Sequence, residues 1–339
     1  MRKLATIRRI DELLPIEGAD KIQLAIVGGW KVVAQKGLYE VGDLAVYFEI
    51  DSWMPTKLAP FLSKGKEPRV FEGIQGERLR TIKLRGQLSQ GLLIPLRECE
   101  GEDYTFEAFE EGSDVTELLG VVKWEKPINA QLAGVCKGNF PSLIPKTDQE
   151  RVQNLKKEIV AAFEGGLLFE LTEKLEGSSM TVYRIEGEFG VCSRNMDLKR
   201  DDNNSFWKTA IENDIEGKMI ALGMDNVAIQ GELIGPAIQG NIYGLNAPEF
   251  HVYDIYSIQN GEYINPEHRW DVVGKMGLTH VPVIATGKDL GIGTVDELLL
   301  WAEGESKLAN VEREGIVFKQ MDGGMTFKAI SNKYLLGEK

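Results

Sequence analysis

The sequence predicts an α+β protein, with a small closed β-barrel first and a larger domain of antiparallel sheets with flanking helices after it. Short apolar stretches bounded by Gly, Pro or Asp fill the first hundred residues, a pattern typical of strands. Beyond residue 145, strand-like and helical patterns are mixed, which is typical of an α+β domain. The 339 residues are enough for two domains that each bury a core.

The barrel is predicted from five stretches rich in Val, Ile, Leu and aromatic residues. They are KIQLAIV, WKVVAQ, DLAVYFEI at 43–50, RLRTIKL and GLLIPL. About five short strands in about a hundred residues suit an OB-fold, with another small β-barrel as the alternative.

One barrel stretch, ERLRTIKLRGQ, carries four basic residues. In a regular strand Arg78 and Arg80 lie on one face and Lys83 and Arg85 on the other, and a bulge would bring them together. OB surfaces bind single strands through such cations, which makes the four candidate RNA-binding residues. An edge strand protected by charge is the alternative interpretation.

The chain divides at an acidic stretch near residues 100–118. We expect the barrel at 1–120, a connector at 121–144 and the second domain at 145–339. In that domain Asp148 is predicted to cap a helix whose apolar positions include Val152 and Ile159. Further helices are predicted near 205–222 and 295–303, and strands in LLFELTEKL, NVAIQGELI, FHVYDIYSI, EGIVFK and MTFKAI.

Composition excludes several classes of protein. The net charge of −13 argues against indiscriminate coating of nucleic acid. Residues 1–140 carry 19 Lys and Arg against 21 Asp and Glu, so the acidity lies in the remainder, with 20 against 31. No apolar run reaches the ~20 residues of a membrane span. The three widely spaced cysteines suggest neither disulfides nor zinc, so we expect an intracellular, cytoplasmic protein with no membrane association.

Residues 172–180, TEKLEGSSM, hold a K-x-E-G motif at Lys174. Alone the motif is weak evidence, because chance produces it often. Five further stretches follow it in order: CSRN around Arg194, QGELIG around Glu232, FHVYDIY around Tyr253, EGIVFK around Glu314, and FKAISNKYLL around Lys328. The set resembles the covalent nucleotidyltransferases, and specifically the ATP-dependent RNA ligases that carry an OB domain ahead of the catalytic (adenylyltransferase) domain.

The resemblance implies that Lys174 is the nucleophile that becomes bound to AMP. The amine must be neutral to attack phosphorus, and nearby cations, desolvation or a metal favour that form. Gly177 is expected to let the backbone turn sharply beside the nucleotide. Glu176 stands where the family more often has Asp or Asn, and we expect it near the metal. Glu232 is expected at the ribose and metal, and Glu314 at the metal through its water shell.

The remaining roles are also implied by the resemblance. Tyr253 is expected to stack on the adenine, with Phe250 as the alternative, and Arg194 to contact the ribose or a 5′-phosphate. Lys319 and Lys328 are the expected phosphate cations and, with Lys174, the expected catalytic residues. The last family motif often reads lysine-x-lysine, but Ala329-Ile330 follows here, so the role of Lys333 stays open.

Two alternative interpretations remain, one with the same lysine chemistry and one without catalysis. DNA ligases and capping enzymes carry an OB domain after the last motif, and only 11 residues follow Lys328 here. A non-catalytic RNA-binding protein with a degenerate transferase domain is the other rival. We expect ATP and Mg²⁺ or Mn²⁺ as cofactors, RNA as partner, in nicked duplex or as broken strand ends, and a monomer. The preference for ATP over GTP rests on the resemblance alone.

Overall fold

A computed structural model describes residues 2–101, 104–125, 134–287 and 293–337. The chain forms two compact units, one of Met1–Pro127 with Gln153–Lys156 and one of Ile128–Val152 with Lys157–Lys339. The predicted α+β class is confirmed. Residues 126–133 of the predicted connector lie outside the described residues.

The first unit consists of short strands in antiparallel sheets. The strands are β1 (Ala5–Arg9), β2 (Glu12–Pro15), β3 (Ile22–Val27), β4 (Trp30–Gln35), β5 (Leu44–Phe48), β6 (Ser52–Pro55), β7 (Arg69–Phe71), β8 (Ile74–Arg78), β9 (Thr81–Leu84), β10 (Gln87–Gln90), β11 (Leu92–Pro95) and β12 (Val122–Lys123), with the short helix α1 at Leu96–Cys99. Within the described residues they pair in the orders β2-β3-β4, β1-β5-β11, β12-β6-β8-β7 and β10-β9. Apolar side chains of β1, β5, β6 and β11 form the core, as strand alternation requires.

The predicted strand RLRTIKL is interrupted, which corrects one expectation. β8 ends at Arg78 and β9 begins at Thr81. Leu79 is buried, and its backbone N–H donates to the carbonyl of Ser52 at 2.9 Å, so the chain is anchored in the core at the break. β9 and β10 then form a hairpin whose turn residues, Arg85 and Gly86, both have positive φ, as a type I′ turn requires.

The second unit contains longer strands and most of the described helices. Its strands are β13 (Cys136–Asn139), β14 (Glu150–Arg151), β15 (Phe169–Lys174), β16 (Ser178–Ile185), β17 (Glu188–Cys192), β18 (Met196–Leu198), β19 (Val227–Ile234), β20 (Glu249–Ser257), β21 (Glu262–Tyr263), β22 (Thr279–His280), β23 (Val283–Gly287), β24 (Gly315–Gln320) and β25 (Thr326–Ile330). Its helices are α2 (Lys156–Glu164), α3 (Ser205–Glu212), α4 (Ile215–Ala221), α5 (Pro266–Lys275), α6 (Val295–Ala302) and α7 (Asn332–Leu336).

Two largely antiparallel sheets organise this unit. In the described residues the larger sheet has the order β13-β18-β17-β16-β19-β20-β21, with β22 parallel to β20, and the smaller has the order β14-β25-β24-β15-β23. Helices α3, α4 and α5 cover one face of the larger sheet, where Trp207, Met219 and Val273 pack against Leu233 and Phe250. Three phenylalanines, Phe169, Phe318 and Phe327, pack on one face of the smaller sheet.

The predicted helices are confirmed at two places and wrong at one. Helices α3 and α4 occupy the predicted region near 205–222, and α6 occupies the one near 295–303. The helix predicted after Asp148 begins only at Lys156, because Glu150–Arg151 pairs as a strand with β25. Asp148 pairs with Arg194 instead of capping a helix. None of the helices in the described ranges is long and apolar enough to cross a membrane.

Candidate active site

The smaller sheet places three predicted lysines on one face. Alternation along β15 puts Glu170 and Lys174 on the same side. Lys319 of β24 lies opposite Glu170, and Lys328 of β25 lies opposite Val317, two residues from Lys319 on the same side of β24. The predicted nucleophile and the two predicted phosphate cations therefore share one face.

Lys174 is the last residue of β15, and an acid meets its amine. Its Nζ lies 2.6 Å from Oε1 of Glu314, which directly precedes β24. The side chains are 26% and 17% exposed, so solvent reaches both. An ion pair at such a position is exchangeable, because water or a ligand can replace either partner at modest cost.

Lys319 lies in a different environment. Its Nζ lies 2.7 Å from Oδ1 of Asp254 and donates to the carbonyl of Tyr253 at 2.5 Å. Both partners in the ion pair are less than a tenth exposed. Arg269 of α5 extends the network: it forms an ion pair with the fully buried Glu170 and lies 3.7 Å from Asp254. Burial lowers the pKa of Lys319, and Asp254 opposes that shift.

A β-bulge brings Tyr253 and Asp254 into the site together. Gln230 of β19 pairs with Asp254, but the next residue, Gly231, pairs with Val252, so Tyr253 is the extra residue on β20. A bulge of this kind re-aims side chains on the bulged strand. Sequence periodicity alone would put neighbouring residues on opposite faces, so it cannot predict that Tyr253 and Asp254 both reach the site.

Glu232 of β19 is the second carboxylate of the site. The pKa of Glu232 is raised to about 8, chiefly by burial and in part by the charge of Glu314, against the opposing charges of Lys174 and Arg194. The backbone N–H of Gly177 donates a hydrogen bond to the Glu232 carboxylate. Residues that are up to 140 positions apart in sequence therefore act on one another electrostatically here.

The requirement for glycine at Gly177 has a different cause from the predicted turn. Gly177 does not have positive φ. A Cβ there would lie 2.4 Å from the carbonyl oxygen of Leu233 and 2.8 Å from Cγ of Glu232. Glycine therefore allows β19 to approach the loop behind Lys174, which brings Glu232 to the nucleophile.

Two tyrosines that the sequence analysis missed surround Glu176. The Tyr243 hydroxyl accepts a hydrogen bond from the Glu176 backbone N–H at 2.7 Å. Tyr334 of α7 forms a hydrogen bond with the Glu176 side chain, and burial, with the charges of Glu314 and Glu176, raises the pKa of Tyr334. Tyr243 stands in no recognisable motif, so no sequence signal predicts it, whereas Tyr334 lies in the stretch FKAISNKYLL around Lys328, which marks its neighbourhood without marking its role.

Three other predicted residues differ in their surroundings. Phe250, the alternative stacking residue, is 4% exposed and packs in the core cluster with Leu233, so the structure corrects that alternative. Arg194 is half-exposed and lies 3.0 Å from Asp148. Lys333 lies 3.1 Å from Glu303, with about half of its side chain exposed.

The carboxylates suit a hydrated divalent cation. The described part of the chain holds no group of three or more Asp, Glu, His or Cys side chains that would chelate a metal directly. Glu232 and Glu314 nevertheless repel each other next to Lys174, which favours an added cation. Mg²⁺ is typically held by one or two carboxylates, water and substrate phosphates, which matches this donor set.

The four basic residues predicted to bind RNA lie in the first unit: one in β8, one between β8 and β9, and two on the β9–β10 hairpin. Arg78 of β8 lies 2.6 Å from Asp51, and its guanidinium is 3.8 Å from the centroid of the Trp124 ring. Arg80 follows the break after β8 and is exposed, and Lys83 and Arg85 are exposed on the β9–β10 hairpin. The predicted set is therefore not one continuous row.

Two family models match the chain. An OB-fold domain matches residues 4–96, and an RNA ligase domain matches residues 168–334. A search among curated proteins found no match.

Solved structures match nearly the whole chain. RNA ligase of Naegleria gruberi with pyrophosphate is 44% identical, with a TM-score of 0.90 over 99% of this chain and 98% of that one. A mutant of that ligase with AMP and Mn is 43% identical, with a TM-score of 0.91 over 98% of both chains. Another mutant, with ATP and Mn, is 43% identical, with a TM-score of 0.89 over 98% of both chains.

Proposed function

The chain belongs to the RNA ligase family, and we propose that it uses ATP to join a 3′-OH end and a 5′-phosphate end of RNA in three steps. The observation that carries the proposal is the contact of 2.6 Å between Lys174 Nζ and Glu314 at a position open to solvent. Lys174 ends a strand, so a nucleotide can reach its amine, and the half-buried carboxylate of Glu232 lies within electrostatic reach of it.

In the first step the neutral amine of Lys174 attacks the α-phosphorus of ATP. A P–N bond forms, the nitrogen gives up one proton to solvent, the bond from the α-phosphorus to the bridging oxygen breaks, and pyrophosphate leaves. Lys328, on the same sheet face and 9% exposed, is placed to neutralise charge on the phosphates. The complexes of the Naegleria ligase with pyrophosphate, and of its mutants with ATP or AMP, support these three molecules as the ligands of this step.

In the second and third steps AMP moves to RNA and is then released. An oxygen of the RNA 5′-phosphate attacks the AMP phosphorus, which breaks the P–N bond and forms an RNA-adenylate. The 3′-OH then attacks the phosphorus of that 5′-phosphate, loses its proton, and displaces AMP. We assign Arg194 to the incoming 5′-phosphate, because a guanidinium suits phosphate oxygens and this one is half-exposed.

The remaining residues bind and orient the nucleotide. Tyr253 offers its ring to the adenine, and Glu232 accepts hydrogen bonds from the ribose hydroxyls. Glu314, with Glu176 and Glu232 nearby, holds Mg²⁺ or Mn²⁺ through water. When bound, that cation neutralises the phosphates and lowers the charge that Lys174 approaches. The mutants of the Naegleria ligase that contain Mn with AMP or ATP support Mn²⁺ as a cation of this site.

The test is strand joining with a trapped intermediate. A nicked RNA duplex with a 5′-³²P label at the nick is incubated with wild type and ATP, and we expect RNA-adenylate followed by joined strand. Lys174→Ala is expected to fail with ATP but to join strands that are supplied already adenylated, because the third step does not use the lysine. The control is Lys307→Ala, which alters an exposed lysine of the same unit. Binding of RNA without joining from either substrate would overturn the proposal and favour a non-catalytic RNA-binding protein.

We assign RNA contact by the first unit chiefly to the β9–β10 hairpin. Lys83 and Arg85 are exposed there, whereas the Arg78 side chain is only 26% exposed. Reversing both hairpin charges is expected to weaken RNA binding about tenfold at low salt and to reduce its salt dependence. A matched double reversal at Lys36 and Lys57, exposed elsewhere on the barrel, is the control. An equal loss in both pairs would contradict a hairpin contact.

A further inference from the structure

Three hydroxyl groups form a closed hydrogen-bonded triangle in the proposed nucleotide site. The Tyr253 hydroxyl donates to Oγ1 of Thr147 at 3.1 Å, and it lies 3.0 Å from Oγ of Ser179. The third side, from Thr147 to Ser179, is 3.3 Å. Each hydroxyl can donate once and accept once around such a ring, so the bonds reinforce one another.

Thr147 reaches this triangle from outside the matched ligase domain, which begins at residue 168. It belongs to the segment Pro145–Asp148, which we term the strap. The strap is held on both sides of Thr147: the Gln230 side chain donates to the Pro145 carbonyl at 2.9 Å, and Arg194 pairs with Asp148 at 3.0 Å. The Gln230 contact does not depend on Arg194, so the strap stays joined to β19 two residues before Thr147.

The triangle limits the orientation of the Tyr253 ring. The hydroxyl is tied at the far end of the ring, and the Lys319 ammonium lies 5.4 Å from the ring centroid. Burial raises the pKa of Tyr253, so the phenol keeps the proton that it donates to Thr147. A ring held in this way loses little side-chain freedom when a base stacks on it.

We propose that Thr147 is a positioning residue for nucleotide binding, which holds the Tyr253 ring in the orientation that stacks on the adenine base. The assignment rests on the proposed function, because it presupposes that ATP binds at Tyr253. The strap is then part of the nucleotide site rather than a linker. Thr147 acts through the ring and not on the reacting phosphorus, so it affects binding of the base more than the chemical step.

The test measures label transfer from α-³²P-labelled ATP as a function of ATP concentration. Thr147→Val keeps the shape and removes the hydroxyl, and we expect KM for ATP to rise about three- to tenfold, as loss of one hydrogen bond implies, with kcat within about twofold. Thr147→Ser is expected to restore the wild-type KM. Inhibition by pyrophosphate is expected to stay unchanged, because pyrophosphate does not contact the ring. Thr286→Val, at an exposed threonine on β23, is the matched control.

A double-mutant cycle separates positioning from general destabilisation. Tyr253→Phe keeps the ring and removes the phenol hydroxyl, so adding Thr147→Val to it is expected to change KM no further. Three results would overturn the assignment of Thr147: full additivity of the two changes, an unchanged KM in Thr147→Val, or weaker inhibition by pyrophosphate. If the wild type is still labelled, the proposed function is not affected by any of them. Absence of label in the wild type would instead overturn the proposed function, and this assignment with it.

Discussion

Two lysine–carboxylate pairs on the same face of one sheet differ in burial. The pair of Lys174 and Glu314 is 2.6 Å apart with side chains 26% and 17% exposed. The pair of Lys319 and Asp254 is 2.7 Å apart with side chains 6% and 9% exposed. The contact distances are nearly equal, so the difference lies in solvent access and in the second ion pair, between Arg269 and Glu170, that supports Lys319.

Solvent access, and not contact distance, distinguishes these two ion pairs. A solvated pair costs little to break, so Glu314 can release Lys174 for the proposed attack on phosphorus. A buried pair is costly to break, because each charge left alone lacks both water and a partner. Lys319 therefore also stabilises the fold next to Tyr253, in addition to the phosphate role predicted from its motif.

The largest expected effect on stability is at Arg269. Arg269→Met leaves Glu170 without its guanidinium, and we expect the free energy of unfolding to fall by about 3–5 kcal/mol. Lys174→Met removes one partner of the exposed pair and is expected to cost less than about 1 kcal/mol. Urea unfolding followed by far-ultraviolet circular dichroism compares the two. Equal losses would show that burial does not distinguish the pairs.

The largest expected effect on activity without loss of stability is at Glu314. Glu314→Gln keeps a polar group near Lys174 but removes the charge that we assign to the hydrated metal, so label transfer from ATP is expected to fall roughly a hundredfold or more. The melting temperature is expected to stay close to that of wild type. Glu305→Gln changes an exposed acid of the same unit and serves as control. Retained labelling at saturating Mg²⁺ would remove Glu314 from the metal site.

A pH dependence is expected from Glu232. Its folded-state pKa of about 8 lies above the ordinary value of 4.5, so the folded protein binds the proton more tightly than the unfolded chain does. Stability is therefore greatest below pH 4.5 as far as this group is concerned, and it falls as pH rises towards 8. Melting temperatures between pH 5 and 8 are expected to decline less in Glu232→Gln, while the exposed-site control Glu262→Gln follows wild type. Parallel curves for all three proteins would contradict a raised pKa.

The smallest effect is expected at Lys333, which extends the comparison to an exposed pair. Lys333 lies 3.1 Å from Glu303 and is 51% exposed, whereas Lys328 is 9% exposed on the face that carries Lys174. Lys333→Ala is expected to change label transfer by less than about threefold, in line with the small energies of exposed pairs. Lys328→Ala is expected to abolish most of it. A large loss in Lys333→Ala would assign it the place of the second lysine in the last motif.

Many of the strands were predictable, because short apolar stretches bounded by turn residues are typical of strands. KIQLAIV and WKVVAQ pair as β3 and β4, and EGIVFK and MTFKAI include β24 and β25. The prediction of one continuous strand over RLRTIKL was wrong, because the strand breaks where Leu79 enters the core, and that is a tertiary effect. The helix predicted from Asp148 begins only at Lys156 for a similar reason, because Glu150–Arg151 pairs in parallel with β25.

The site was predictable only where a motif marks it. Lys174, Glu232 and Glu314 stand in ordered motifs, and the structure brings them within electrostatic reach of one another. Arg269 and Thr147 stand in no motif, and their roles arise from a helix and a strap that fold back onto the sheets. The bulge at Tyr253 is likewise invisible in a period-two pattern, because it depends on the register with β19.

The most direct test of the central claim is label transfer from α-³²P-labelled ATP to wild type, Lys174→Ala and Lys307→Ala, with labelled GTP in parallel. We expect a covalent, magnesium- or manganese-dependent label from ATP in wild type and in Lys307→Ala, and none in Lys174→Ala with a normal melting temperature. Label that persists in Lys174→Ala, or no label in folded wild type freed of bound AMP, would contradict the assignment of Lys174 as the carrier of AMP.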